Sequence, residues 1–227
     1  MGDRVMAVVL ASRPAGGAYA EYVVVPAGSA AVVPDDVGLA EASTVPMNGL
    51  TALRALDLLG PAPEIVVTGA AGVLGSYTLQ LAVRQGARVV AIASPRDFDF
   101  LDELGAHVLV PRGDGIATRL SNVLGGRAEA VVDAACLHDE LVPAIAVGGA
   151  VAAVRPWPGR IPEGVTVHEV RVSDYSTRGD LVGLLAREVS AGTLTPRVVD
   201  VVPATRAAEA HVRLERGGLR GRIVLEF

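Results

Sequence analysis

The sequence contains no lysine: all 20 of its cationic residues are arginine. That removes Schiff-base chemistry, a pyridoxal phosphate lysine and a phosphate-loop lysine together. There is one cysteine, Cys136, so a disulfide framework and any zinc or cluster site needing several thiolates are excluded. Aromatic residues make up only 4% of the chain, so the core must be built from Val, Ala, Leu and Ile. There is no basic run and the net charge is −5, which argues against nucleic acid or an anionic membrane as partner. No short apolar block ending in a small-residue cleavage site follows Met1, and a cytoplasmic location is the expectation. The 227 residues are 51% hydrophobic, enough for a sizeable core and too apolar for a disordered chain.

Residues 65–83 carry no formal charge, yet they hold Gly69, Gly72 and Gly75 beside Thr68, Ser76 and Gln80. A β-branched run, a glycine turn and a helix explain them better than a membrane span. Residues 1–34 read as β structure, with strands over 5–10 and 20–25 and a turn over 14–17. Residues 40–59 read as a helix with an apolar Leu50, Leu53, Leu56, Leu59 stripe, interrupted at Pro46 and Gly49. From residue 61 strands (65–68, 88–93, 108–110, 130–133, 150–154) alternate with helices (to about 85, then 97–104, 116–124 and 138–146). Gly60, Gly86, Gly105 and Gly125 stand where helix C-caps want glycine. This alternation predicts a parallel sheet covered on both faces. Beyond a proline-rich loop at 156–162 come a strand over 165–172, a helix over 179–190, a strand over 198–201, a helix over 205–214 and a strand over 223–227.

The central motif is Val67-Thr68-Gly69-Ala70-Ala71-Gly72-Val73-Leu74-Gly75, after a strand and opening a helix. Gly72 lets a backbone approach a pyrophosphate, Gly75 lets the helix pack closely, and the helix N-terminus faces the phosphates. Ala70 replaces the first glycine of the strict pattern, and the competing reading is that the glycines serve a tight strand–helix turn alone. At the next strand end, where an NAD site usually has an acid, stand Ala93 and Ser94, followed by Arg96. Ser94 and Arg96 suit a 2′-phosphate and favour NADP(H). The competing readings are Arg96 as an exposed surface charge and Asp97 as the cap of the following helix.

These segments resemble the medium-chain dehydrogenase/reductase superfamily, and most closely its zinc-independent quinone oxidoreductase and enoyl reductase branch. Gly17-Ala18-Tyr19-Ala20-Glu21-Tyr22, Pro46-Met47-Asn48-Gly49-Leu50-Thr51, the glycine turn, Glu103-Leu104-Gly105-Ala106, Gly148-Gly149-Ala150 and Gly221-Arg222-Ile223-Val224 carry the resemblance in family order. It implies a Rossmann-type doubly wound parallel sheet over residues 45–170. Residues 1–44 and 171–227 then form a partial, mostly β, GroES-like catalytic domain. Cofactor contacts are implied for Thr51, Gly72, Val73, Leu74, Gly75, Ser94, Arg96, Ala135, Cys136 and Arg222. Asn48 stands where zinc-dependent members have a metal-binding Cys, so no catalytic zinc is expected. Tyr175 is the best remaining proton donor, while Tyr19 and Tyr22 read as structural. Three departures stand out: Val73 replaces a glycine, Asp97 replaces a lysine of many NADP-dependent members, and Ala135-Cys136-Leu137 replaces a glycine-rich loop. Gly2-Asp3-Arg4-Val5 is an internal segment in the family, so the chain reads as short by about a first quarter.

The activity implied is NADP(H)-dependent hydride transfer to an activated double bond or a quinone of a small-molecule substrate. The alternatives are a shortened scaffold with a non-redox, cyclase- or dehydratase-like role, or a nucleotide-binding subunit. A homodimer is also expected, with residues 150–154 pairing across a two-fold axis as in related proteins.

Overall fold

A computed structural model describes every residue except Met1, Arg13 and Ala15. In chain order the regular elements are β1 (Val5–Ala7), β2 (Ala30–Val32), α1 (Leu39–Leu59), β3 (Glu64–Thr68), α2 (Val73–Arg84), β4 (Arg88–Ala93), α3 (Phe98–Glu103), β5 (Val108–Pro111) and α4 (Ile116–Leu124). They continue with β6 (Ala128–Asp133), β7 (Ile145–Ala153), β8 (Thr166–Glu169), α5 (Gly179–Ser190), β9 (Val198–Pro203), α6 (Ala207–Glu215) and β10 (Arg222–Glu226). The chain divides into two compact units, residues 51–171 and residues 1–50 with 172–227.

The unit of residues 51–171 holds a six-stranded, all-parallel sheet in the order β5-β4-β3-β6-β7-β8. The order runs one way from β3 to β5 and the other way from β6 to β8, so the topological switch point lies between β3 and β6. This is the Rossmann-type doubly wound arrangement. The sequence makes it so because the central strands are built on β-branched and alanine runs (residues 65–68, 89–93 and 130–132) that are buried on both faces. Val66, Val67, Val89, Val90, Val131, Val132 and Val151 are all buried. α2 carries no charge before Arg84 because most of it too is buried, which accounts for the uncharged stretch after residue 65. Gly60, Gly86, Gly105 and Gly125 all take positive φ just past their helices.

In the other unit β1 and β2 form an antiparallel pair, and β9 and β10 a parallel pair with an irregularity at Arg222. α5 packs against β2. Arg4 donates to the carbonyls of Pro34, Asp35 and Val37, tying the first strand to the segment before α1.

Several elements differ from the sequence reading. The strand expected over 20–25 is not formed; Tyr22 and Val24 lie exposed on irregular backbone that joins no sheet. The turn expected over 14–17 includes Ala15, outside the described residues. α1 runs unbroken through Pro46. Gly49 does not interrupt it either: a Cβ there would lie 2.6 Å from Cδ1 of Leu185, so glycine admits α5 to the helix surface. The helix expected over 138–146 is replaced by 3-10 turns at His138–Glu140 and Val142–Ala144, the second opened by Pro143, with β7 already beginning at Ile145. Residues 150–153 pair with β6 on one side and β8 on the other. Their backbone groups are therefore used within the sheet, and the two-fold pairing expected of them is closed.

Candidate nucleotide site at the sheet's switch point

β3 ends at Thr68 and β6 at Asp133, side by side, with both side chains fully buried. Thr68 Oγ1 donates to Asp133 Oδ1 at 2.7 Å and accepts the Ala135 N–H at 2.9 Å. The carboxylate also accepts the N–H of Leu137 at 3.0 Å and of His138 at 2.9 Å. A buried carboxylate is costly unless its oxygens are hydrogen-bonded, and here both are. The network fixes the loop that follows β6.

That loop is strained. Cys136 (φ 57°) and His138 (φ 46°) are the non-glycine residues with positive φ among those described. An L residue there is disfavoured by its Cβ, and such strain gathers at functional sites. The ring Nε2 of His138 and Nε1 of Trp157 are buried without hydrogen-bond partners, and the two rings meet edge to face at 5.2 Å. Cys136 is half-buried. Burial, and then the Asp133 charge, push its thiol above the ordinary range, while Arg155 pulls the other way. It is a poor nucleophile in that state.

The glycine turn leaves β3 beside this loop. Gly69 has φ 57°, and a Cβ on it would lie 3.1 Å from that of Ala135, so the two loops touch. A Cβ on Gly75 would fall 2.3 Å from the Gly69 carbonyl oxygen and 2.7 Å from the Ala70 Cα. Only glycine lets the first turn of α2 lie this close to the loop. Gly72 is exposed at the N-cap, and no side chain caps the helix. The first-turn N–H groups of Val73, Leu74 and Gly75 have no intrahelical acceptor and form an anion cradle. On this observation the residues fit a dinucleotide's diphosphate.

At the same edge β4 ends at Ala93. Ser94 is half-buried and Arg96 exposed, and neither side chain has a hydrogen bond or ion pair among the described residues. Asp97 is buried at the end of a 3-10 turn, and its side chain does not cap α3.

In the other unit Asn48 is buried on α1 and bonded at both ends of its amide. Its Nδ2 donates to the Thr44 carbonyl at 3.2 Å, and its Oδ1 accepts from Arg222 Nη2 at 2.7 Å. Asn48 and Arg222 line a cavity of about 440 Å³ with Tyr19, Met47 and Phe227. Tyr175 sits on a 3-10 turn with the Arg178 guanidinium 5.6 Å from its ring centroid, and it does not line that cavity. Thr51 follows Asn48 by three residues on α1.

The structure thus brings together the glycine turn, Ala135 and Cys136, and sets Ser94 and Arg96 at the same sheet edge. Asn48 and Arg222 form a second pair. Sequence reasoning missed Thr68 and Asp133. Their signal was present as two polar residues closing the apolar runs of residues 65–67 and 130–132. Tyr19, read as structural, has its hydroxyl 3.0 Å from His211 Nε2. No group of three or more His, Cys, Asp or Glu suited to a metal occurs among the described residues, and no described helix is long and apolar enough to cross a membrane.

A family model described as zinc-binding dehydrogenase matches residues 66–225. The chain is 28% identical over 242 aligned residues to the chloroplast envelope quinone oxidoreductase homolog of Arabidopsis thaliana, covering 99% of this chain and 73% of that protein. Among solved structures it is similar to an NAD-dependent alcohol dehydrogenase (TM-score 0.78, 28% identity, 93% of this chain and 66% of that one). It is also similar to mycobacterial Rv1454c complexed with NADPH (TM-score 0.76, 25% identity, 92% of this chain and 71% of that one).

Proposed function

The chain belongs to the zinc-binding dehydrogenase family, within the medium-chain dehydrogenase/reductase superfamily, and is an oxidoreductase; we propose that it is a zinc-independent, NADP(H)-dependent reductase of an activated carbon–carbon double bond or a quinone. The observation that carries the reading is the uncapped first turn of α2 at the switch point, with Ser94 and Arg96 unengaged at the next strand end. When bound, the nicotinamide supplies a hydride.

The chain's own residues bind and orient. The N–H groups of Val73, Leu74 and Gly75 hold the diphosphate. Ser94 Oγ donates to, and Arg96 pairs with, a 2′-phosphate. The Thr68–Asp133 network holds the amides of Ala135, Leu137 and His138, so the amide of Cys136 is the one that the loop offers to a ligand. Residues 45–170 act as the cofactor domain, with Thr51 at the ribose. The flanking segments belong to the catalytic domain.

Zinc independence is supported by Asn48. An amide is not among the thiolate, imidazole and carboxylate groups that hold zinc, and this one is already bonded at both ends. In its place the Arg222 guanidinium presents a fixed positive charge to the cavity, suited to a developing enolate oxygen. Tyr175 is the phenol assigned as proton donor, on the placement that the resemblance gives its loop.

The test is turnover. The chain is mixed with NADPH, or NADH, and a panel of enones and quinones, and loss of nicotinamide absorbance is followed. Consumption that is faster with NADPH supports the reading. Tight binding without consumption across the panel contradicts the redox assignment and favours the non-redox scaffold.

A further inference from the structure

We propose that Arg112 is a second cation for the adenosine phosphate and that Arg119 is the positioning residue that holds it there; the inference rests on the NADP(H) reading above. β5 pairs with β4 so that Pro111 stands opposite Ala93, and the Arg112 N–H donates to the Ala93 carbonyl at 2.8 Å. Adjacent strands lie about 4.8 Å apart, so Arg112 leaves the sheet immediately beside Ser94.

The loop it enters, Pro111-Arg112-Gly113-Asp114-Gly115, is curled around a side chain from α4. Arg119 donates from Nε to the Pro111 carbonyl at 3.0 Å, from Nη2 to Gly113 at 2.8 Å and from Nη1 to Asp114 at 2.6 Å. Gly113 (φ 110°) and Gly115 (φ 73°) supply the backbone that turns three carbonyls toward one guanidinium. A surface loop fixed in this way loses less entropy when it engages a ligand.

The guanidinium of Arg112 is different. It is exposed and has no hydrogen bond or ion pair among the described residues. Arg54, Arg88, Arg171, Arg178, Arg206 and Arg213 are all paired with carboxylates. Two unengaged arginines, Arg96 and Arg112, therefore stand on the segments that leave neighbouring strand ends, with Ser94 directly after the β4 end. The nearby exposed acids are Asp114 on the Arg112 loop and Asp99 in the first turn of α3, and Asp97 is buried. Two planar guanidinium forks and a hydroxyl suit the oxygens of a phosphate monoester carried on a ribose. A ribose hydroxyl in the same place would leave both cations without a partner.

The experiment titrates the full chain, and its Arg112→Ala, Arg96→Ala, Arg119→Gln and Arg119→Lys variants, with NADPH and with NADH by nicotinamide fluorescence. Inorganic phosphate is added as a competitor in a separate series. Losing a charged hydrogen-bond partner predicts that Arg112→Ala weakens NADPH about ten-fold and leaves NADH within about two-fold. Arg119→Gln weakens NADPH alone, by less, and Arg119→Lys recovers part of the loss. Should Arg119→Gln fail to fold, Arg112→Ala carries the test by itself. An unchanged NADPH-to-NADH ratio in Arg112→Ala, with the ratio lost in Arg96→Ala, overturns this inference and leaves the NADP(H) reading standing. A wild-type chain with no preference for NADPH overturns both. Phosphate that displaces NADPH from wild type but not from Arg112→Ala supports the same assignment.

Discussion

The Thr68 hydroxyl and the Asp133 carboxylate, 2.7 Å apart and both fully buried, join the ends of β3 and β6 where the sheet changes direction. The same hydroxyl accepts the Ala135 N–H, so one small polar group holds a strand end and the loop that frames the candidate cofactor edge.

Thr68→Val keeps the shape and removes the hydroxyl. It leaves the Ala135 N–H and one carboxylate bond unmade, each costing about 1–3 kcal/mol when buried. Thr68→Ser keeps the hydroxyl and loses about 1 kcal/mol for the methyl group. Urea unfolding of the two variants checks this. Equal losses would show that the hydroxyl's bonds do not matter.

Gly75→Ala forces a Cβ to 2.3 Å from a backbone oxygen, which has no side-chain freedom to give way. Overpacking of this kind costs roughly 1–3 kcal/mol, and nucleotide affinity should fall with it. Gly72→Ala meets the same oxygen at 3.3 Å and should be much milder. Denaturation midpoints that rank the other way would contradict the account of the turn.

Much of the sheet was legible because its strands are β-branched runs, its helices end on glycines, and each local signal agrees with the fold. The bounds of β4, α4 and α5 could be read from the residues directly. The segment after β6 could not. Leu137-His138-Asp139-Glu140-Leu141 has the composition of a helix start, but the bonds from Asp133 to the amides of Leu137 and His138 hold the chain in a tighter turn. Tyr22 and Val24 alternate like a strand, yet joining a sheet depends on a distant segment that local sequence does not specify. At the site, the glycine turn was visible as a motif. The clamp of Arg119 on its loop depends on where three carbonyls point, which no spacing reveals.

Cys136 offers two checks at one position. Cys136→Gly removes the Cβ penalty of a positive φ, worth roughly 1 kcal/mol, and should leave stability unchanged or raised. Cys136→Val should lower it. The raised thiol pKa, caused first by burial and then by Asp133, means less thiolate at pH 8 than in a free cysteine. Alkylation should therefore be slower than for a model thiol and should accelerate only above the ordinary thiol range. Rapid modification at neutral pH would contradict this.

Asn48→Ala removes the acceptor that orients Arg222. Turnover should fall by about ten-fold if the guanidinium stabilises charge in the cavity. Asn48→Asp, which keeps an oxygen for Arg222, should lose less. Steady-state rates on an accepted enone or quinone decide the order.

The most direct measurement is the binding of NADPH and NADH to the purified chain, followed by nicotinamide fluorescence. The account predicts saturable binding at micromolar concentrations, tighter for NADPH, and weakened in Gly75→Ala. Absence of binding for either nucleotide would contradict it, leaving the uncapped turn of α2 as a structural feature alone.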